Sequence, residues 1–327
     1  CDLVSGPSEG GEGSLVGEFR HRPDLLKRVP SLVRPVHPWL DFKALRELRA
    51  VFRQTRPAIV HTHSGKAGIL GRWAAHLEKV PIIVHGVHGP SFGPWQGALA
   101  NLVFLSAERF AARFTTHFVA VAQAMIDQYV AAGAGRANQF TRVFSGFPLE
   151  PFLAAENDPQ VRARYGLAPE HWVAGKIARI TPLKGHDDLF EAAPELIRRV
   201  PKIRFLLIGG GQLEEAFRAR AKSAGLERYF VFSGLVPPSE IPKVAGVMDA
   251  LLHLSLREGL PRALPQALAA GRPVVAYDCD GAREACITGE TGILVPARDR
   301  AGLIEAVARL ASDEELCRRL GGQGRRF

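Results

Sequence analysis

Short apolar runs alternate along the whole chain with longer segments in which apolar positions recur every three or four residues. The short runs, bounded by Gly, Pro and small polar residues, read as strands buried on both faces. The 3.6-residue spacing reads as amphipathic helix. In the first half, strands are expected at Asp2 to Ser5, Ile59 to His61, Ile82 to Val87, His117 to Val121 and Phe140 to Phe144. Helices are expected over Phe42 to Thr55, within the stretch HTHSGKAGILGRWAAHLEKVP, and over Ala98 to Phe114. Leu32 to Val36 is a further apolar segment, and Gly6 to Ser14 reads as a Gly/Ser/Glu loop. Ser145 to Pro159 reads as a linker.

The second half repeats the pattern. Strands are expected near Trp172 to Ala178, Phe205 to Ile208, Phe230 to Ser233, Ala250 to Leu254, Pro273 to Ala276 and Gly292 to Val295. Helices are expected near Asp187 to Arg199 (with Pro194 as a candidate kink), Leu213 to Ala224, Arg262 to Ala270 and Arg300 to Leu310. Strands alternating with helices predict an α/β protein with parallel, doubly wound sheets. The expected division is residues 1–147, residues 148–311 and a final helical segment, 312–327. The halves agree in pattern only; no short sequence repeat is visible.

Composition narrows the class. The 327 residues are 46% hydrophobic and 23% charged, enough for two ordinary α/β cores. No apolar run approaches the ~20 residues that a membrane-spanning helix requires. The formal charge of +9 favours anionic partners such as nucleotide phosphates or acidic headgroups. The Lys and Arg are scattered without aromatic interleaving, which weighs against nucleic acid. Cys1, Cys279, Cys286 and Cys317 form no CxxC pair, and no His stands at zinc spacing. A reducing cytosol is the default compartment.

The densest chemistry lies in Ser255 to Pro273, SLREGLPRALPQALAAGRP. Glu258 follows an apolar strand; Gly259, Leu260 and Pro261 then lead into a helix. Pro261 suits the first helical position, and Pro265 still falls near the first turn. The backbone of Glu258, Gly259 and Leu260 should therefore point free N–H groups outward at a helix N-terminus, which makes an anion site. A carboxylate beside an anion site suits a ligand carrying phosphate at one end and hydroxyls at the other. A helix-capping charge is the plainer account of Glu258.

This stretch resembles the signature of family-4 retaining glycosyltransferases of GT-B fold, the bacterial glycosyl transferases group 1, in which Glu-Gly is followed by a second Glu-Ala. Glu258 matches the first Glu. Gln266 stands at the second, and Pro261 stands where many members have Gly. Other landmarks fall in the family's order over nearly the whole chain. The resemblance implies two Rossmann-like domains facing across a cleft, the first on the acceptor side and the second binding the nucleotide sugar. The last segment then begins the helix that crosses back. It also implies that a first strand and its Gly-rich loop precede Cys1, so that the chain reads as truncated at both ends.

The resemblance carries over residue by residue. Arg179 and Lys184, in KIARITPLKGHDD, match the pair that binds the donor diphosphate. On departure of a diphosphate, cations at that place supply the largest catalytic contribution. Alone, each is as well read as a solvated charge beside a turn. Glu258 matches the residue that holds donor-sugar hydroxyls, with the Gly259 and Leu260 backbone at the phosphate. Gln266 falls at the ribose-binding position, where an amide accepts and donates but loses charge-assisted bonds. His88 sits at the place of the family's active-site His. His63, at the preceding strand end, is left open between substrate contact and sheet residue. His61 and His85 read as packing or sheet residues. Gly210, in Gly209-Gly210-Gly211, and Leu235, in SGLV, match turns beside the nucleoside. The glycine run is neither a dinucleotide fingerprint nor a Walker loop.

Two motifs read as structural. Asp278-Cys279-Asp280 is an Asp-x-Asp, but two carboxylates in a strand-end turn account for it more simply than a metal. Gly65-Lys66-Ala67-Gly68 lacks Walker spacing and reads as a tight turn, although Lys66 remains a candidate contact for an anionic acceptor. The helix over Ala98 to Phe114, with Phe104, Leu105, Phe110 and Phe114, reads as core rather than membrane-facing.

The function implied is retaining, metal-independent transfer of a sugar from a nucleoside diphosphate donor, UDP above others, to an acceptor hydroxyl. It needs no cofactor. The implied partners are a nucleotide sugar and a glycan or lipid-linked acceptor of cell-surface polysaccharide or glycolipid synthesis. The setting is cytoplasmic, with peripheral contact to an anionic membrane at the inner face of the plasma membrane. Competing readings are a nucleotide-sugar epimerase of the same fold, a non-catalytic nucleotide-sugar-binding domain and a basic nucleic-acid binder.

Overall fold

The computed structural model describes residues 1–7 and 15–327. The loop expected at Gly6 to Ser14 lies, from residue 8 onward, outside the described residues. The chain divides into two compact units, Cys1–Phe144 and Ser145–Phe327.

In the first unit, β1 (Leu3–Ser5) pairs in parallel with β2 (Leu26–Arg28) as a separate two-stranded sheet. The sequence did not signal β2, whose LKR carries no apolar run. The apolar segment Leu32 to Val36 forms turns instead of an element. Helix α1 (Pro38–Thr55) starts four residues before the expected Phe42, because His37 caps it: Leu40 N–H donates to His37 Nδ1. There follow β3 (Ile59–His63), α2 (Gly65–Leu77), β4 (Ile82–Val87), α3 (Ala98–Ala112), β5 (His117–Ala120), α4 (Gln123–Ala131) and β6 (Phe140–Arg142). The four strands from β3 to β6 form one parallel sheet in chain order. Leu45, Leu48 and Phe52 of α1 bury against Leu70 and Ala74 of α2 and against Val60 and Ile83 of the sheet.

In the second unit, α5 (Glu150–Leu153) and α6 (Pro159–Arg164) occupy part of the expected linker. Then come β7 (Trp172–Ile177), α7 (His186–Arg199), β8 (Ile203–Ile208), α8 (Glu214–Ser223), β9 (Phe230–Phe232) and α9 (Ile241–Gly246). The chain closes with β10 (Ala250–His253), α10 (Ala263–Ala269), β11 (Val274–Tyr277), β12 (Gly292–Val295), α11 (Arg300–Ser312) and α12 (Glu314–Arg326). Helix α7 runs through Pro194 without a break in its assignment. The short α4, α6 and α9 were not anticipated, since fewer than three turns leave little periodicity to read.

All six strands of this unit are parallel, in the order β12-β11-β10-β7-β8-β9. Alternate residues of each strand enter two different cores. Ala174, Phe205, Leu252 and Val275 pack with α7, α8 and α11. Val173, Leu206, Leu251 and Val274 pack with α6, α9 and α10. Helices on both faces explain why the strands read as continuous apolar runs. Helix α12 joins the first of these cores through Leu316 and Leu320.

Candidate functional site

The strand order fixes where a site can form. The chain builds outward from β7 to β9, then returns and builds outward again from β10 to β12. Adjacent β7 and β10 are the switch point, and ligands of open α/β sheets bind beyond the strand C-termini there. Arg179 follows β7, and Glu258 follows β10. Both line a pocket of ≈ 140 Å³ with Lys184, His253, Pro261 and Arg262.

The Lys184 loop is held by backbone alone. Leu183 and Gly185 take positive φ, 67° and 68°. A Cβ on Gly185 would sit 2.0 Å from the Leu254 carbonyl oxygen, so only glycine allows this approach. Leu256 N–H then donates to Leu183 O at 2.8 Å. The loop is thus tied to the exit of β10, and the Lys184 ammonium forms an ion pair with Glu258 Oε1. Burial by itself would raise the Glu258 carboxyl. The Lys184 ammonium, its ion-pair partner, opposes this, and the group is held below the ordinary carboxylate value.

Two expectations about this loop need correction. Helix α10 begins at Ala263 with Arg262 as its N-cap, so Pro261 lies before the helix rather than at its first position. The Glu258 N–H is not free either: it donates to Asp280 Oδ2 at 2.7 Å. Asp280 therefore organises the Glu258 turn, while Asp278 binds Arg283. Gly259 is buried, Leu260 and Gln266 are half-buried, and the Gly259 carbonyl accepts from Gly281. Gly210 and Leu235 come together at the ends of β8 and β9. A Cβ on Gly210 would lie 3.4 Å from Leu235 Cγ, and Leu235 is otherwise exposed.

Beneath the pocket, Lys176 of β7 is 1% exposed and its Nζ has no hydrogen-bond partner. Burial, reinforced by Lys184, depresses it to about 7, against the pull of Glu258 and Asp188. His253 of β10 is buried too. Its ring is depressed to about 3, chiefly by burial and against the pull of Glu258, so it is neutral at neutral pH. The sequence reading overlooked both residues. The available signal was a basic residue inside each of two apolar strands, VAGKI and ALLHL.

Lys176 yields a stability prediction with a definite sign. Below pH 7 the ammonium is charged in both the folded and unfolded chain, and its burial cost is felt in full. Between about 7 and the ordinary 10.5 the unfolded chain binds the extra proton, so folding strengthens as pH rises. Lys176→Met should therefore raise stability by about 2–4 kcal/mol at pH 6.5. The gain should shrink toward pH 10. Chemical denaturation at both pH values checks this, and an equal gain at both would refute it.

In the first unit, His63 Nδ1 and His88 Nε2 are 2.9 Å apart, and the His61 ring lies 4.4 Å from that of His63. Gly86 makes the pair possible, since a Cβ there would meet His63 Nδ1 at 2.6 Å. Burial, then His61 and His88, depress the His63 ring. His61 is a sheet residue of β3, with an exposed side chain. His85 is buried against Thr62 Oγ1 at 2.9 Å and is pushed well below its ordinary value by burial. Lys66 is tied to Asp41 and to the Pro35 carbonyl, so it is not poised for an acceptor. On α3, Leu99, Leu102 and Val103 are exposed and Phe110 is 41% exposed, while Glu108 and Ala111 face inward. That helix is therefore less completely core than its sequence suggested.

The fold defines a class, the α/β proteins with two parallel sheets. Residues 157–327 match the model of the family described as glycosyl transferases group 1, and residues 4–143 match a glycosyl transferase 4-like domain. The chain belongs to the glycosyl transferases group 1 family. Among its relatives is the UDP-Gal:alpha-D-GlcNAc-diphosphoundecaprenol alpha-1,3-galactosyltransferase of Escherichia coli, 28% identical over 88% of this chain and 75% of that protein. A GDP-mannose-dependent phosphatidylinositol monomannoside mannosyltransferase of Mycolicibacterium smegmatis is 34% identical over 52% of this chain and 47% of its own. The crystal structure of HepE from Anabaena with UDP and glucose superposes with a TM-score of 0.80 at 22% identity, covering 99% of this chain and 86% of the other. The two-sheet fold is thus that of GT-B glycosyltransferases. Among the described residues, no helix is long and apolar enough to cross a membrane.

Proposed function

We propose that the protein moves a sugar, with retention, from a UDP-sugar to an acceptor hydroxyl in the synthesis of a cell-surface polysaccharide or glycolipid. The carrying observation is the Lys184–Glu258 pair beside Arg179 at the switch point of the six-stranded sheet. Arg179 and Lys184 would neutralise the departing diphosphate, which needs no metal in this scheme. The Gly259 and Leu260 amides would donate to its oxygens, and Glu258 would align the sugar hydroxyls. Gln266 would take the ribose, with Gly210 and Leu235 against the base. His88, oriented by His63, would act from the acceptor-side domain. No nucleophile stands beside His88 in the sequence, which favours front-face attack with the leaving phosphate accepting the acceptor proton.

Two kinds of relative support the acceptor class: one acts on a diphosphoundecaprenol-linked sugar and the other on a phosphatidylinositol mannoside. The exposed apolar face of α3 suits a lipid-linked acceptor at a membrane surface. The domain roles assigned are acceptor binding for residues 1–147 and donor binding for residues 148–311.

A thermal-shift panel of UDP, GDP and ADP without metal tests the donor reading. A ligand at ~100 times its dissociation constant adds about 2.7 kcal/mol of stability. UDP should give the largest shift. No shift with any of the three, on folded protein, would overturn the proposal.

A further inference from the structure

His253 lies directly under the Glu258 carboxylate and does nothing in the scheme above. It is buried, its Nε2 has no hydrogen-bond partner, and that nitrogen is 3.9 Å from Glu258 Oε1. A buried polar atom left unmatched in this way carries a desolvation cost that a small movement of its neighbour would remove. Lys184 forms its ion pair with that same oxygen, Oε1. Lys184 cannot keep this bond and also meet a diphosphate with its full charge. Binding of the donor therefore competes with Glu258 for one ammonium. Once released, the carboxylate must find another donor or stand unpaired in a half-buried site.

We propose that His253 is the positioning residue that takes over Glu258 when the donor diphosphate draws Lys184 away. The His253 N–H then donates to Oε1, fixing the carboxylate toward the sugar while Lys184 serves the phosphate. The ion pair is the resting arrangement, and the histidine bond is the loaded one. This inference rests on the nucleotide-sugar reading of the pocket.

The test compares UDP with UDP-glucose by titration calorimetry on the full chain, for wild type, His253→Leu and His253→Gln. UDP also draws on Lys184 but has no sugar for Glu258 to hold, so its affinity should fall less than that of UDP-glucose in His253→Leu. The affinity for UDP-glucose should fall by about ten-fold or more, the loss expected for a hydrogen bond to a charged group. His253→Gln keeps an N–H donor and should recover most of that loss. No UDP binding to folded wild type would overturn the donor reading and this inference with it. UDP binding with an unchanged UDP-glucose to UDP ratio in His253→Leu would overturn this inference alone. An equal loss of both ligands in both variants would show that His253 merely holds the strand, and would also overturn it.

Discussion

Lys184→Ala should leave a folded protein that no longer binds or turns over its donor. Lys184 is a cation of the pocket, carried on a loop that Gly185 and the Leu256 to Leu183 bond clamp to the exit of β10. Removing one preorganised donor to a developing oxyanion typically lowers the rate by about 10²–10³-fold. Release of UDP from a UDP-sugar should fall by at least that much, and the UDP-induced thermal shift should disappear. The fold survives because Glu258 has a second response. With Lys184 gone, the burial that already pushes its carboxyl upward is opposed by less, so the group gains a proton more readily at neutral pH. Lys184→Ala combined with Glu258→Gln should therefore be at least as stable as Lys184→Ala alone and no more active. Unchanged donor turnover in Lys184→Ala would remove the pocket from the mechanism.

The largest stability effect should come from the first unit. Arg72 of α2 and Glu108 of α3 are both fully buried, and Arg72 Nη2 lies 2.6 Å from Glu108 Oε2. Arg72 Nε donates to Gly68 O, and the other Glu108 oxygen accepts from Ser91 Oγ at 2.8 Å. The pair thus joins two helices to the loop that follows His88. Arg72→Leu leaves an unpaired carboxylate in the interior, at a cost of about 3–5 kcal/mol. Chemical denaturation reads this directly. Arg72→Leu with Glu108→Leu should recover most of the loss, because a dry apolar pair of that volume needs no charge compensation. It should not restore the Ser91 contact. A Arg72→Leu protein of wild-type stability would show that the pair contributes nothing.

The two faces of the six-stranded sheet account for how legible this chain was. Runs such as FLLI and VVA are apolar at every position because both faces are covered, and such runs survive in sequence as unambiguous strands. Their order did not need to be guessed far, since parallel strands with helical crossovers leave few arrangements. Short elements escaped because LKR in β2 and helices of fewer than three turns bear too little period to read. Arg179, Lys184 and Glu258 were visible as a set because each follows a strand of the second half. His253 and Lys176 were not, although both are basic residues in otherwise apolar strands.

The sequence alone determined the alternation of elements, the division into two α/β halves, the family, and the charged residues that end the strands. Only the tertiary structure decided that β7 and β10 are neighbours, which brings Lys184 onto Glu258 across 74 residues of chain. It also decided that Asp280 takes the Glu258 amide, that Lys66 is spent on Asp41, and that His253 waits unpaired beneath the carboxylate. The physical reason is the same for each. Periodicity records which face of an element avoids water, a property of neighbours along the chain. The partner of a buried charge is set by which strand ends meet, and that depends on the packing of the whole sheet.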